Sequence, residues 1–276
     1  MQHPSDLKNV AVVVAFSGWN DAGNAASDSV LYLLDNYPSR EIARIEDERF
    51  YDFQASRPQV RRTDDGPVVQ WPFTAVHLVS HEERDILCVV GPEPSLLWRT
   101  YGQELVDLLK GYEPEVVVLL GAMLSDTPHS RPLPVGMYSH HQWLQEQLDV
   151  EPSSYEGPTG ILGVVGQMLQ AEWVPALSIW VSVPHYVATP PNPKAQHTLI
   201  SRLETVLGME LELGDLPDEA TNWTKAVDEL SSEDPDVAEY IEQLEEAKDA
   251  SDVEDATGEN IAKEFERYLK GRRDRG

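Results

Sequence analysis

Four short apolar runs decide most of what this chain can become. Residues 10–16 (VAVVVAF), 85–91 (DILCVVG), 115–121 (EVVVLLG) and 176–183 (ALSIWVSV) are rich in β-branched residues and carry no charge beyond a leading carboxylate. They are too short for stable helices, and continuous rather than alternating, as strands covered on both faces are. Helical periodicity lies between several of them. Ala22, Ala26, Ser29 or Val30, and Leu33 recur after the first run; Leu97, Tyr101, Leu105 and Leu108 recur after the second, with Gly111 and Pro114 as a stop. Residues 41–80 read differently: EIARIE, QVRR, VVQWPF and AVHLVS are short strands or hairpins separated by Asp-Asp-Gly and Pro turns. The pattern predicts a mixed, partly parallel sheet sandwiched by helices.

Charge divides the chain into two regimes. Its net charge is -27, and residues 210–259 contain 19 Asp/Glu against two Lys. Binding to nucleic acid or an anionic membrane needs clustered Lys/Arg, so both are excluded as general electrostatic partners. The boundary falls near Gly208 to Gly214, giving residues 1–208 as an α/β domain and 209–276 as an acidic helical appendage ending in the basic stretch KGRRDRG. Within the appendage, Leu216, Ala220, Trp223, Val227 and Leu230 form one apolar stripe. Val237, Tyr240, Ile241 and Leu244 form another, opened by Asp234-Pro235 as cap and first helical residue. Residues 249–259 (DASDVEDATGE) read as a mobile linker before a last helix bearing Ile261, Phe265, Tyr268 and Leu269. One cysteine, Cys88, sits inside an apolar run, which excludes a disulfide framework and suits a reducing compartment. With no signal segment and no run near the roughly 20 apolar residues that span a bilayer, a cytoplasmic protein is expected.

The stretch FSGWNDAG, residues 16–23, joins the first strand to the first helix, where many α/β proteins bind phosphate. Gly18 and Gly23 have P-loop spacing, but Asn24-Ala25 replaces the Lys-Ser/Thr pair, and no G-x-G-x-x-G is present. Open α/β sheets bind ligands beyond the carboxyl ends of their parallel strands. The candidates on that edge are Trp19, Asn20 and Asp21 after the first strand, with His129 and Arg131 in the loop GAMLSDTPHSRPLPV. Thr159 and Gly160 in YEGPTGILGVVGQML and His185 and Tyr186 in VPHYVATPPNPKA complete the set. Asp21, His129 and His185 could serve as acid-base groups, with Arg131 and the Thr159 helix start holding an anion. Each also has a structural use: Asp21 as N-cap of a helix beginning near Ala22, the histidines as strand-end hydrogen-bonding groups, Arg131 as partner of Asp126 or packed on a tryptophan, and the glycines as a close-packing face. The histidines lack zinc spacing, so neither a metal nor a cofactor is expected, and no G-x-S-x-G elbow appears.

These stretches together resemble the PAC2 (proteasome assembly chaperone 2) family in its actinobacterial form. The resemblance rests on FSGWNDAGNAA (16–26), LGAMLSDTPHSRPLPV (120–135), YEGPTGILGVV (155–165) and WVSVPHYVATPPNPKA (180–195), with EFERYLKGR (264–272) as a weaker echo. It implies a three-layer α/β/α, phosphorylase/hydrolase-like mixed sheet, kinship with proteins that assist proteasome α-ring assembly without catalysis, and self-association into homo-oligomers. Some relatives dock through a C-terminal hydrophobic-Tyr-any tail; this chain ends RRDRG, with Tyr268 eight residues before the end. Two functional readings result: a non-enzymatic assembly or interaction factor, which the resemblance favours, or a nucleoside hydrolase/phosphorylase-like enzyme or small-anion binder using the strand-end loops.

Overall fold

The computed structural model describes residues 7–255. The four apolar runs form the centre of a seven-stranded sheet. They become β1 (Ala11–Ser17), β6 (Asp85–Pro92), β7 (Val116–Ser125) and β9 (Ala176–Pro184), adjacent and parallel in the order β6-β1-β7-β9. Antiparallel strands extend both sides: β5 (Thr74–Ser80) and β2 (Ser39–Ile45) beyond β6, and β8 (Val135–Tyr138) beyond β9. The remaining strands, β3 (Gln59–Thr63) and β4 (Gly66–Gln70), form a separate two-stranded hairpin.

Both faces of the sheet are covered, which explains why its central strands read as continuous apolar runs. Along β1, Ala11, Val13 and Ala15 point to one side with α1 (Ala25–Asn36) and α5 (Pro193–Leu207). Val12, Val14 and Phe16 point to the other with α2 (Trp98–Lys110) and α4 (Ile161–Ala171). The protein is thus a three-layer α/β/α sandwich, with a short α3 (Gln142–Leu148) beside β8. Cys88 lies in the core, where burial pushes its thiol up to about 12.

The acidic stretch supplies α6 (Leu216–Ser232) and α7 (Pro235–Asp255). Leu216 is buried in the same cluster as α1 and α5, so α6 grows directly out of the α/β core. The first apolar stripe is only partly used: Leu216, Ala220 and Val227 are buried, Trp223 is half-buried, and Leu230 is exposed. Asp234 caps α7, accepting the Asp236 N–H at 3.0 Å. The expected linker is helical over residues 249–255, where Asp249 is anchored by Arg131. Residues 256–259, the expected last helix and the basic tail lie outside the described residues. No described helix is long and apolar enough to cross a membrane.

Candidate functional site

The β1–α1 turn holds its own carboxylate. Gly23 and Asn24 take left-handed conformations with φ of 62° and 57°. These interrupt the helical path and delay α1 to Ala25, three residues later than the periodicity suggested. Asp21 stands at the N-cap position of a 3-10 turn over Ala22–Asn24 but makes no side-chain cap bond to it, and Asn24 is the N-cap residue of α1. Asp21 reaches across the turn instead: one oxygen accepts the N–H groups of Ala26 and Ser27 at 2.7 and 3.1 Å, and the other accepts the Ser27 hydroxyl at 2.5 Å. This is the position a bound anion would take at a helix start. Burial pushes the Asp21 carboxyl above the usual carboxylate range, and its hydrogen bonds with Ser27 and Ala26 oppose that shift.

A second helix start on the same edge is filled in the same way. The extended backbone of Gly160 makes it the N-cap of α4. Thr159 stands one position too early to cap; it is exposed, and its hydroxyl faces the Gly160 carbonyl at 3.4 Å. The anion at this terminus is Glu93, whose Oε1 accepts the Ile161 N–H at 2.8 Å and the Asn20 side-chain amide at 3.0 Å. Glu93 was not among the sequence candidates, although its place directly after the apolar run of β6 puts it on the edge where such groups gather. A methyl group on Gly160 would fall 2.3 Å from the Asn20 side-chain nitrogen, so only glycine permits this approach. Asn20 itself is buried, and its carbonyl accepts the Ala122 N–H at 2.8 Å.

The loops after β7 and β9 form a different group, covered by the acidic helices. His129 is 1% exposed, with both ring nitrogens engaged: Nδ1 meets the Tyr186 hydroxyl at 2.8 Å and Nε2 meets Asp228 of α6 at 2.9 Å. The Tyr186 hydroxyl also accepts the His129 backbone N–H, leaving its own proton for Nδ1. A neutral ring protonated at Nε2 satisfies every partner, and burial holds His129 below the usual histidine range. Arg131 pairs with Asp249 of α7 through bonds of 2.8 and 2.9 Å, with Glu245 at 3.5 Å, and not with Asp126. Asp126 instead meets His185 at 3.3 Å and the Tyr240 hydroxyl at 3.4 Å. Lys194, at the start of α5, donates to the carbonyls of His129 and Arg131.

The sequence candidates thus divide into two groups. Trp19, Asn20, Asp21 and Gly160 gather with Glu93, while His129, Arg131, His185 and Tyr186 gather with α6 and α7. A catalytic base needs a free lone pair within reach of substrate; His129 has neither a free nitrogen nor exposure, and Asp21 accepts three hydrogen bonds from its own helix. Among the described residues no cluster of three or more His, Cys, Asp or Glu could hold a metal. A cavity of about 390 Å³ lies between α2 and α4, lined by Trp98, Arg99, Val164, Gln167, Met168 and Ala171, and includes none of these candidates.

The same edge is strongly apolar on its outside. Trp19 is 65% exposed, and Leu96, Leu97, Met123, Leu124 and Tyr155 are exposed as well. Their chain neighbours are the bonded set just described: Trp19 adjoins Asn20, Met123 follows Ala122, and Leu96 and Leu97 follow Glu93 by a few residues. Grouped exposure of large apolar side chains marks contact surfaces.

Fold and site together define a three-layer α/β/α protein in which internal carboxylates occupy the starts of α1 and α4 and large apolar side chains are exposed at the strand ends. The PAC2 family profile matches residues 15–231. A proteasome-assembly chaperone homologue from Mycobacterium tuberculosis is 40% identical, with 84% of this chain and 99% of that one covered and a TM-score of 0.76. A PAC2 family protein from Streptomyces avermitilis is also 40% identical over the same shares, with a TM-score of 0.78. A Corynebacterium glutamicum protein of unknown function shares the fold at 24% identity and a TM-score of 0.79, with 88% and 91% covered. No curated protein matches. The chain belongs to the PAC2 family.

Proposed function

We propose that this protein is a non-enzymatic interaction factor of the assembly-chaperone kind, which offers the carboxyl edge of its sheet to a protein partner. One observation carries the reading. Two of the helix starts on that edge, those of α1 and α4, where an anionic substrate would be held, already contain Asp21 and Glu93, while Trp19, Met123 and Leu124 stand exposed on the same strand-end segments. The Mycobacterium relative is described as a proteasome-assembly chaperone homologue, which makes proteasome subunits the partners to test first. A cytoplasmic setting and self-association belong to the same reading. The nucleoside or anion-binding alternative has weaker support, because its proposed groups lie in two separate clusters.

The test is capture of proteasome subunits from the source organism by the purified chain, beside a Trp19→Ser/Met123→Asp variant. Capture by the native chain and its loss in an equally stable variant are expected. Failure of the native chain to retain any proteasome subunit, or undiminished capture by the variant, overturns the reading.

A further inference from the structure

The helix α7 is held to the molecule mainly by polar contacts. Over residues 235–251 only Ile241 is buried, whereas α6 buries Leu216, Ala220 and Val227. Ile241, Glu245 and Asp249 recur every fourth residue and share one face of α7. Glu245 accepts the Ser130 hydroxyl and lies 3.5 Å from Arg131, and Asp249 takes the same guanidinium in bonds of 2.8 and 2.9 Å. Beside this face, the Tyr240 hydroxyl meets Asp126 at 3.4 Å, and its ring lies 5.7 Å from that of His185 and 6.2 Å from that of Tyr186. The receiving surface carries both signs, so the match is one of pattern: a hydroxyl for Asp126, and carboxylates for Arg131 and Ser130.

That surface does not depend on α7 for its shape. Lys194 donates to the carbonyls of His129 and Arg131, and the Tyr186 hydroxyl accepts the His129 N–H at 2.8 Å. At the far end of the loop the Pro134 carbonyl accepts the Ser182 N–H of β9 at 2.9 Å. The ties to α7 are weaker, since the Asp249 side chain is 54% exposed and exposed ion pairs contribute little. Withdrawal of α7 thus leaves a formed surface with the Arg131 charge unmatched, and a carboxylate-bearing helix of the same pattern fits it.

We propose that the loops after β7 and β9 form a docking surface for an acidic helix of another protein, and that α7 occupies it in cis until such a helix displaces it. This goes beyond the strand-end reading and uses none of Trp19, Met123 or Leu124.

The experiment is fluorescence anisotropy of a labelled synthetic peptide of residues 234–255, titrated with the full chain. The native chain binds it weakly, because α7 competes at high effective concentration. Glu245→Gln/Asp249→Asn, placed in the chain but not in the peptide, loosens α7 and tightens binding by about tenfold or more. Adding Arg131→Glu to that chain abolishes binding, and a peptide carrying Glu245→Lys/Asp249→Lys restores it. Amide exchange in the loosened chain is faster over residues 235–251 and unchanged in α4. In isotope-labelled native chain, excess peptide releases the amide signals of residues 235–251 from their docked positions, a readout that needs no variant. Equal affinity of the native and loosened chains, binding that survives Arg131→Glu, or α7 signals that excess peptide does not move overturns the proposal. A loosened chain that dimerises by exchanging α7 also overturns it, because the occupant would then be a second copy.

Discussion

The Glu93 carboxylate stands 2.8 Å from the Ile161 N–H and 3.0 Å from the Asn20 amide, joining the start of α4 to the β1–α1 turn through one internal anion. With Asp21 doing the same for α1, two of the positive helix ends on the sheet's carboxyl edge are neutralised from within.

If Glu93 occupies an anion site, removing it should both weaken the fold and open the site. Glu93→Ala is expected to cost about 1 to 2 kcal/mol, the range of a lost helix cap. Inorganic phosphate should then raise the melting temperature of the variant more than that of the native chain. A variant with native stability, or an equal phosphate response in both proteins, would show that Glu93 is not holding that terminus.

Asp28 makes the first turn of α1 sensitive to pH. Burial, with the charge of Asp21 adding to it, pushes the Asp28 carboxyl up to about 6. A carboxyl whose folded pKa is raised binds its proton more readily when folded, so its contribution to stability is present at low pH and is lost as pH rises through that value. The window runs from the ordinary value near 3.8 to about 6. Asp28→Asn should therefore stabilise the protein near neutrality by about 1 kcal/mol after allowance for solvent screening, with no gain at pH 4. Urea midpoints for both proteins across that range check it, and a gain that does not vary with pH would sink it.

What was legible in the sequence follows from the period of its signals. The central parallel strands could be read because burial on both faces leaves an unbroken apolar run, as in VAVVVA before Phe16. Less legible was anything set by a single backbone torsion: Gly23 and Asn24 move the start of α1, and no periodicity reports that. Least legible were partners distant in sequence. Arg131 is five residues from Asp126 but pairs with Asp249, 118 residues away, because α7 returns across the loop. His129 looked available as a base for the same reason; nothing near it in sequence announces Asp228.

Docking of α6 should weaken as His129 gains a proton. Its folded pKa is lowered by burial, a shift opposed by Asp228 and Glu245 and assisted by Lys194. A histidine held neutral contributes stability that is present above its ordinary value near 6.5 and is lost as pH falls below it, the opposite sign to Asp28. Amide exchange in residues 216–232, corrected for intrinsic rates, should thus accelerate relative to α4 on going from about pH 7 to about pH 5. His129→Gln cannot titrate and should abolish that difference. Parallel changes in α4 and α6, or a difference that persists in His129→Gln, would separate α6 docking from the histidine.

Two aromatic residues three positions apart test whether the exposed apolar edge is a surface or a support. Phe16 is fully buried at the end of β1, with its ring 6.0 Å from that of Tyr101 in an edge contact. Trp19 begins the turn and is 65% exposed. Phe16→Ala should cost about 3 to 5 kcal/mol, the usual range for a deleted core aromatic. Trp19→Ser should change stability by no more than about 0.5 kcal/mol, as a surface substitution does. With that result folding would leave the exposed area of Trp19 unexplained, as the proposed contact surface requires. Chemical denaturation of both variants decides the matter: a Trp19→Ser loss approaching that of Phe16→Ala would make the tryptophan a packing anchor of the turn and remove the centre of the proposed contact surface.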